Sequence, residues 1–207
     1  MNFKEFFEGY GVPLVIVDVQ PAYNNYCRRI LPRLFSFLNK HKGNTIAFYN
    51  GEELGMDSKH DVAEYYLENG VSEEKINEIN FTEKTYAFFR SWMDQGVDLH
   101  VIIKVLRYLV VNKMTDTREI ESLQQLLGHE YQNFMEDDPI YLPQINIAQL
   151  KSGFNNCYLC GGGEHECLKE IQILLSVFNI KYTLVRFLIM KEIYLKKLIF
   201  PIKLKIP

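Results

Sequence analysis

Cys167 is the residue whose placement most directly suggests chemistry. It lies in C-Y-L-C-G-G-G-E-H-E-C-L (157–168), just beyond a glycine triplet and at the head of a helical pattern carried by Leu168, Ile171, Leu174, Leu175 and Phe178. A thiol in the first turn of a helix faces unpaired backbone N–H groups and the positive end of the helix dipole, both of which favour thiolate. The sequence therefore predicts a nucleophile at Cys167. A nucleophilic cysteine needs a group to take its proton and donors to hold the oxyanion formed on attack at a carbonyl. Asp18, at the end of the apolar run L-V-I-V-D-V, is a carboxylate in apolar surroundings and fits the first role. Lys84 supplies positive charge, and backbone N–H groups around Gly163 and Cys167 are candidates for the oxyanion hole.

The same stretch also admits a zinc reading, since Cys157-x-x-Cys160 is followed by His165 and Cys167. Against it, the fourth ligand of a zinc knuckle falls on Glu170. Cys157 and Cys160 also sit in an apolar strand, where residues three apart point to opposite faces. The triple glycine is a weak phosphate loop, because no Gly-Lys-Ser/Thr follows it. His41, His60, His100 and His129 have no spacing that suggests ligands, and Cys27 reads as helix surface.

The elements that must position these groups alternate. Strands are predicted at 13–19, 44–49, 77–82 (ending near Lys84), 154–160 and 181–189. Helical patterns fall around 30–38, at 61–69 (stopped by Gly70), 86–93, much of 98–127, and 167–178. The segment 128–145 is polar, interrupted by Pro139 and Pro143, and reads as a loop. Alternation of this kind implies a three-layer α/β/α domain with a mainly parallel, Rossmann-like sheet. Sites in such sheets lie beyond the carboxyl ends of the strands, where Asp18, Lys84 and Cys167 all fall.

The bulk properties narrow the classes further. The 207 residues are 47% hydrophobic and 14% aromatic, which excludes intrinsic disorder and gives room for one sizeable core. A net charge of −3 offers no case for nucleic-acid binding. The four cysteines are few for this length, and M-N-F-K-E-F-F-E-G-Y has no signal-peptide core, so a cytoplasmic location with free thiols is expected. No run of ~20 uncharged apolar residues predicts a membrane span. The end of the chain differs: residues 186–207 carry Arg186 and five lysines against Glu192, among thirteen large apolar side chains. This reads as an added helix and closing strand, or as a partner- or membrane-surface element.

In its three motifs the chain resembles the isochorismatase-like cysteine hydrolases, which include nicotinamidases and ureidoacrylate and N-carbamoyl-amide hydrolases. L-V-I-V-D-V-Q is similar to the family's first-strand motif, E-K-T-Y-A-F-F to its lysine motif, and C-G-G-G-E-H-E-C to the string that ends in the nucleophile. The resemblance covers about residues 10–190 and implies a catalytic triad of Asp18, Lys84 and Cys167 on that family's fold. By the same match Gly162–Gly163 is a cis peptide shaping the oxyanion hole, and Gly162, Gly163, Glu164 and His165 line the substrate side. Glu164 and His165 stand where the family has a small-polar pair. The stretch 98–150 is longer than the family's and forms an insertion, and 191–207 is an extension. The metal site of nicotinamidases has no counterpart in Y-N-G-E-E-L-G-M-D-S-K-H, so neither metal nor other cofactor is expected. The resemblance implies hydrolysis of a C–N bond in a small amide or carbamoyl compound through a thioester, by a homo-oligomer. The other reading is a catalytically silent binding or assembly module on the same fold.

Overall fold

Leu14–Val17 form β1, and all four side chains are fully buried, as an apolar, β-branched strand covered on both faces requires. The computed structural model describes residues 11–51, 55–84, 92–93, 95–129, 155–164 and 167–190. After β1 come α1 (Leu31–Leu38), β2 (Thr45–Asn50), α2 (Lys59–Glu68), α3 (Glu73–Glu78), β3 (Ile79–Lys84), α4 (Leu99–Asn112), α5 (Leu123–Leu127), β4 (Asn156–Gly163), α6 (Cys167–Val177) and β5 (Lys181–Met190). The five strands are all parallel, in the order β3-β2-β1-β4-β5.

Alternate residues of β1 feed two cores. Val15 and Val17 pack with Ile46, Phe48 and Leu159 against α4 and α6, while Leu14 and Ile16 pack with Ala47 and Tyr49 against α1 and α2. The domain therefore has three layers, with α4 and α6 on one face of the sheet and α1 and α2 on the other. Cys157 belongs to the first core and Cys160 to the second, so the strand sends them to opposite faces, as its two-residue period dictates.

The sequence-based boundaries shift where local chemistry is specific. Ser58 accepts from Asp61 N–H while Asp61 accepts from Ser58 N–H, a capping box that starts α2 two residues earlier than periodicity alone places it. The helical pattern beyond 98 breaks at Lys113, which is left-handed at φ 58°. α4 supplies Val101, Ile102, Val105, Leu106 and Leu109 to the core, so this part of the expected insertion is a packed layer of the domain. Cys27 is buried, with Sγ 3.3 Å from Tyr65 Oη, and is not on a helix surface. Most of the expected helix at 86–93, most of the expected loop at 128–145 and the tail 191–207 lie outside the described residues.

β4 runs on through the glycine triplet to Gly163, three residues past the predicted strand end at 160. The Gly162–Gly163 peptide, expected to be cis, is trans, and Gly163 still pairs with Met190 of β5 in extended backbone. The strict need for glycine falls on Gly161. Its φ is 92°, and a Cβ there would sit 2.1 Å from the carbonyl oxygen of Val17 on the neighbouring strand. Replacing Gly161 with Ala is expected to destabilise the protein by about 3 kcal/mol, read as a lower denaturant midpoint. An unchanged midpoint would mean that β1 and β4 do not meet this closely.

At the opposite end of the sheet, His41 is buried and neither ring nitrogen has a hydrogen-bond partner among the described residues. Burial, reinforced by the Lys75 ammonium, lowers its pKa to about 4 from the ordinary 6.5; the nearby Asn44 backbone and Glu78 oppose this only weakly. A base whose folded pKa is depressed binds fewer protons folded than unfolded, so stability falls as pH drops below the unfolded value. The expected loss is about 2 kcal/mol between about pH 7 and pH 5, with most of that slope absent from His41→Gln in pH-dependent melting.

Candidate functional site

The strand order places the switch in winding direction between β1 and β4. β1 to β3 build outward on one side, β4 and β5 on the other, and a crevice opens where the two directions part. Asp18 directly follows β1, and Cys167 opens the helix after β4, so the two residues flank that crevice. Lys84, the last residue of β3, reaches it from two strands away.

The Lys84 ammonium is buried and donates to Asp18 Oδ2 at 2.7 Å and to Glu170 Oε2 at 3.4 Å. Burial alone would push its pKa down, but the charges of Asp18 and Glu170 and the hydrogen bond to Asp18 outweigh it and the net direction is up, so the lysine is charged. Lys75, the other lysine near β3, is bound at the far end of the strand, donating to His41 O at 2.6 Å and pairing with Glu78 at 2.7 Å. Asp18 is 1% exposed, and its backbone is left-handed at φ 53°, a conformation that aspartate tolerates better than most residues. Its Oδ1 is buried with no hydrogen-bond partner among the described residues, an uncommon state for a carboxylate oxygen.

Cys167 retains partial exposure, unlike Cys157 and Cys160, which are fully enclosed. Its thiol is nonetheless pushed up. Burial is the main cause, followed by repulsion from Asp18, with Glu170 adding to it and Lys84 opposing. The thiolate expected from the helix-start position is thus not favoured at rest, because burial disfavours the charged form and the nearby carboxylates add to that effect. A Cβ on Gly162 would lie 3.1 Å from Cys167 Cβ, so the bare strand at Gly162 lets the cysteine settle against the sheet.

The remaining sequence-predicted residues divide. Gly163 is paired within the sheet. Glu164 is half-buried and makes a loose 3.9 Å contact with the exposed Arg186 of β5. His165 lies outside the described residues.

No protein-family model, curated protein or solved structure matches the chain.

Sequence reasoning missed Glu170 as a site residue, although it is buried beside Lys84. The signal was present: Glu170 lies three residues beyond Cys167, on the same face of one helix, and is the only acid in C-L-K-E-I-Q-I-L-L-S-V. It also missed the lacing of the two loops that leave β1 and β2. Gln20 donates to Asn50 O at 3.0 Å and to Asp57 Oδ2 at 2.7 Å, and accepts from Asn50 N at 2.8 Å. Ala22 N also donates to Asp57, at 3.0 Å. Asn50 Nδ2 donates to Tyr23 Oη at 2.9 Å, and Tyr23 Oη donates to Met56 Sδ at 3.5 Å. Burial, then the charge of Asp18, push the Tyr23 phenol up, so it stands as a neutral hydroxyl beside the site.

Removing one member of a buried ion cluster leaves its partners uncompensated. Lys84→Met is therefore expected to destabilise by about 3–5 kcal/mol in chemical denaturation, with much of the loss recovered in the triple variant that also carries Asp18→Asn and Glu170→Gln. A Lys84→Met midpoint equal to wild type would mean the ammonium is not buried among these carboxylates.

Proposed function

We propose that the protein is a cysteine-dependent hydrolase that cleaves a C–N bond in a small amide or carbamoyl compound, with Cys167 as nucleophile and Asp18 as base. The observation that carries this reading is the division of labour on Asp18. One oxygen is held by Lys84, while the other is buried and has no partner among the described residues, beside a cysteine at the head of α6 and at the crossover of the sheet. An unpaired buried carboxylate oxygen is costly to maintain, which suits a group that accepts a proton during a reaction cycle. The order of motifs that resembles the isochorismatase-like hydrolases supports the same assignment.

In the proposed cycle, Cys167 Sγ forms a bond to the substrate carbonyl carbon as its proton passes to Asp18. The carbonyl oxygen becomes an oxyanion held by backbone N–H groups at the end of β4 and the start of α6. The C–N bond then breaks, with the proton on Asp18 transferred to the leaving amine. Water, deprotonated by Asp18, attacks the thioester and releases the acid and the thiol. Lys84 stays protonated throughout and fixes the carboxylate against which both proton transfers occur.

The test is ammonia or amine release from a panel of small primary amides, ureido acids and N-carbamoyl compounds. Cys167→Ala is expected to lower turnover by at least about 1,000-fold while melting within a few degrees of wild type. Turnover unchanged in that variant would remove Cys167 from the chemistry. Absence of turnover across the panel would favour a binding module on this fold.

A further inference from the structure

Tyr23 is fixed at both ends. In the short turn Pro21–Tyr23 its N–H donates to Gln20 O at 3.0 Å, and its carbonyl accepts from Cys27 Sγ at 3.2 Å. Asp57 pins the preceding residue through Ala22 N–H, at 3.0 Å. The hydroxyl is held from the other side, where Asn50 Nδ2 donates to it at 2.9 Å. Asn50 is itself buried, and Gln20 clamps its backbone by accepting from Asn50 N and donating to Asn50 O.

These contacts set the hydroxyl at the carboxyl end of the sheet. Asn50 ends β2 and pairs in register with Lys84 of β3, while Asp18 N–H donates to Phe48 O of β2 at 2.8 Å. The contact between Lys84 and Asp18 therefore spans the end of the strand that carries Asn50. A phenol has one proton to donate. Asn50 fills the acceptor side of the Tyr23 oxygen and leaves that proton for another partner. Among the described residues the partner is Met56 Sδ at 3.5 Å, and a thioether is a weak acceptor. Tyr23 is only partly buried, and burial keeps its phenol neutral and able to donate. A ligand oxygen can thus replace the thioether with little loss. Asp57 is bound at the residue before Tyr23, so a neutral carbonyl suits the position better than an anion.

We propose that Tyr23 is a specificity-determining residue whose hydroxyl, oriented by Asn50, donates to a second carbonyl oxygen of the substrate, beyond the carbonyl under attack. The substrate class is then a small amide or carbamoyl compound that carries two carbonyl groups. This inference rests on the proposed role of Cys167 as nucleophile and adds to it a fixed donor that selects what the cysteine meets.

The experiment compares alkylation of the full-length protein by iodoacetamide and by iodoethane, with the rate at Cys167 read by mass spectrometry of its peptide. Iodoacetamide carries a carbonyl one atom beyond the carbon that sulfur attacks, and iodoethane carries no acceptor. Tyr23→Phe is expected to lower the iodoacetamide-to-iodoethane rate ratio about fivefold, as loss of one hydrogen bond implies. Asn50→Asp, nearly identical in shape, would accept the hydroxyl proton instead of donating to the oxygen, and is expected to lower the ratio about as much. An unchanged ratio in Tyr23→Phe overturns the inference, as does an equal fall in both rates. A Cys167 that neither reagent labels also overturns it, since the hydroxyl would then face no open crevice. An unchanged ratio in Asn50→Asp overturns the orienting role of Asn50. No turnover is needed, so the two readings fail separately: a selective loss in a protein that cleaves no amide keeps the donor and removes the hydrolase, and intact turnover with an unchanged ratio does the reverse.

Discussion

A single buried ammonium organises this end of the molecule. Isolated in the protein interior, Lys84 would cost several kcal/mol and would shed its proton. It is kept charged because Asp18 and Glu170 converge on it from β1 and α6. The reverse holds for Asp18, whose buried carboxylate depends on the lysine. The cluster thus joins β3, the exit of β1 and the first turns of α6, three segments that are not hydrogen-bonded neighbours in the sheet. The sheet sets where the strand ends lie, and the charges fix the side chains relative to one another.

The backbone contributes through close approach. Gly161 lets β4 press against Val17, and Gly162 lets Cys167 lie against the sheet. Together they set the cysteine beside the residue that follows β1, at the crossover where α/β sheets open a crevice. Gln20, Asn50, Tyr23 and Asp57 then tie the two neighbouring loops into one wall. This lacing is long-range, with partners 27 to 37 residues apart.

Much of this was legible in the sequence. L-V-I-V and the alternation of strands and helices gave a parallel sheet because continuous apolar, β-branched strands suit burial on both faces. Asp18 and Lys84, read as strand-end residues, do meet at 2.7 Å. The shortfall came where meaning depends on partners distant in sequence. Glu170 looks like an ordinary helix acid until Lys84 arrives from 86 residues away. The thiol's resting state differs from the expected thiolate for the same reason, since the helix start is local and the burial that raises the thiol is not. Gly161 shows the third kind of miss. All three glycines look alike in sequence, and only the packing of β4 on β1 singles out the one with no room for a side chain.

The central claim, that Cys167 and Asp18 form one reacting unit held by Lys84, is tested most directly by trapping. Protein quenched in acid while acting on an amide or carbamoyl substrate should carry an adduct of the acyl group's mass, mapped to Cys167 and lost on treatment with hydroxylamine. Asp18→Asn should abolish its formation while leaving the fold intact. Turnover without an adduct at Cys167, or an adduct formed equally fast in Asp18→Asn, would contradict the account.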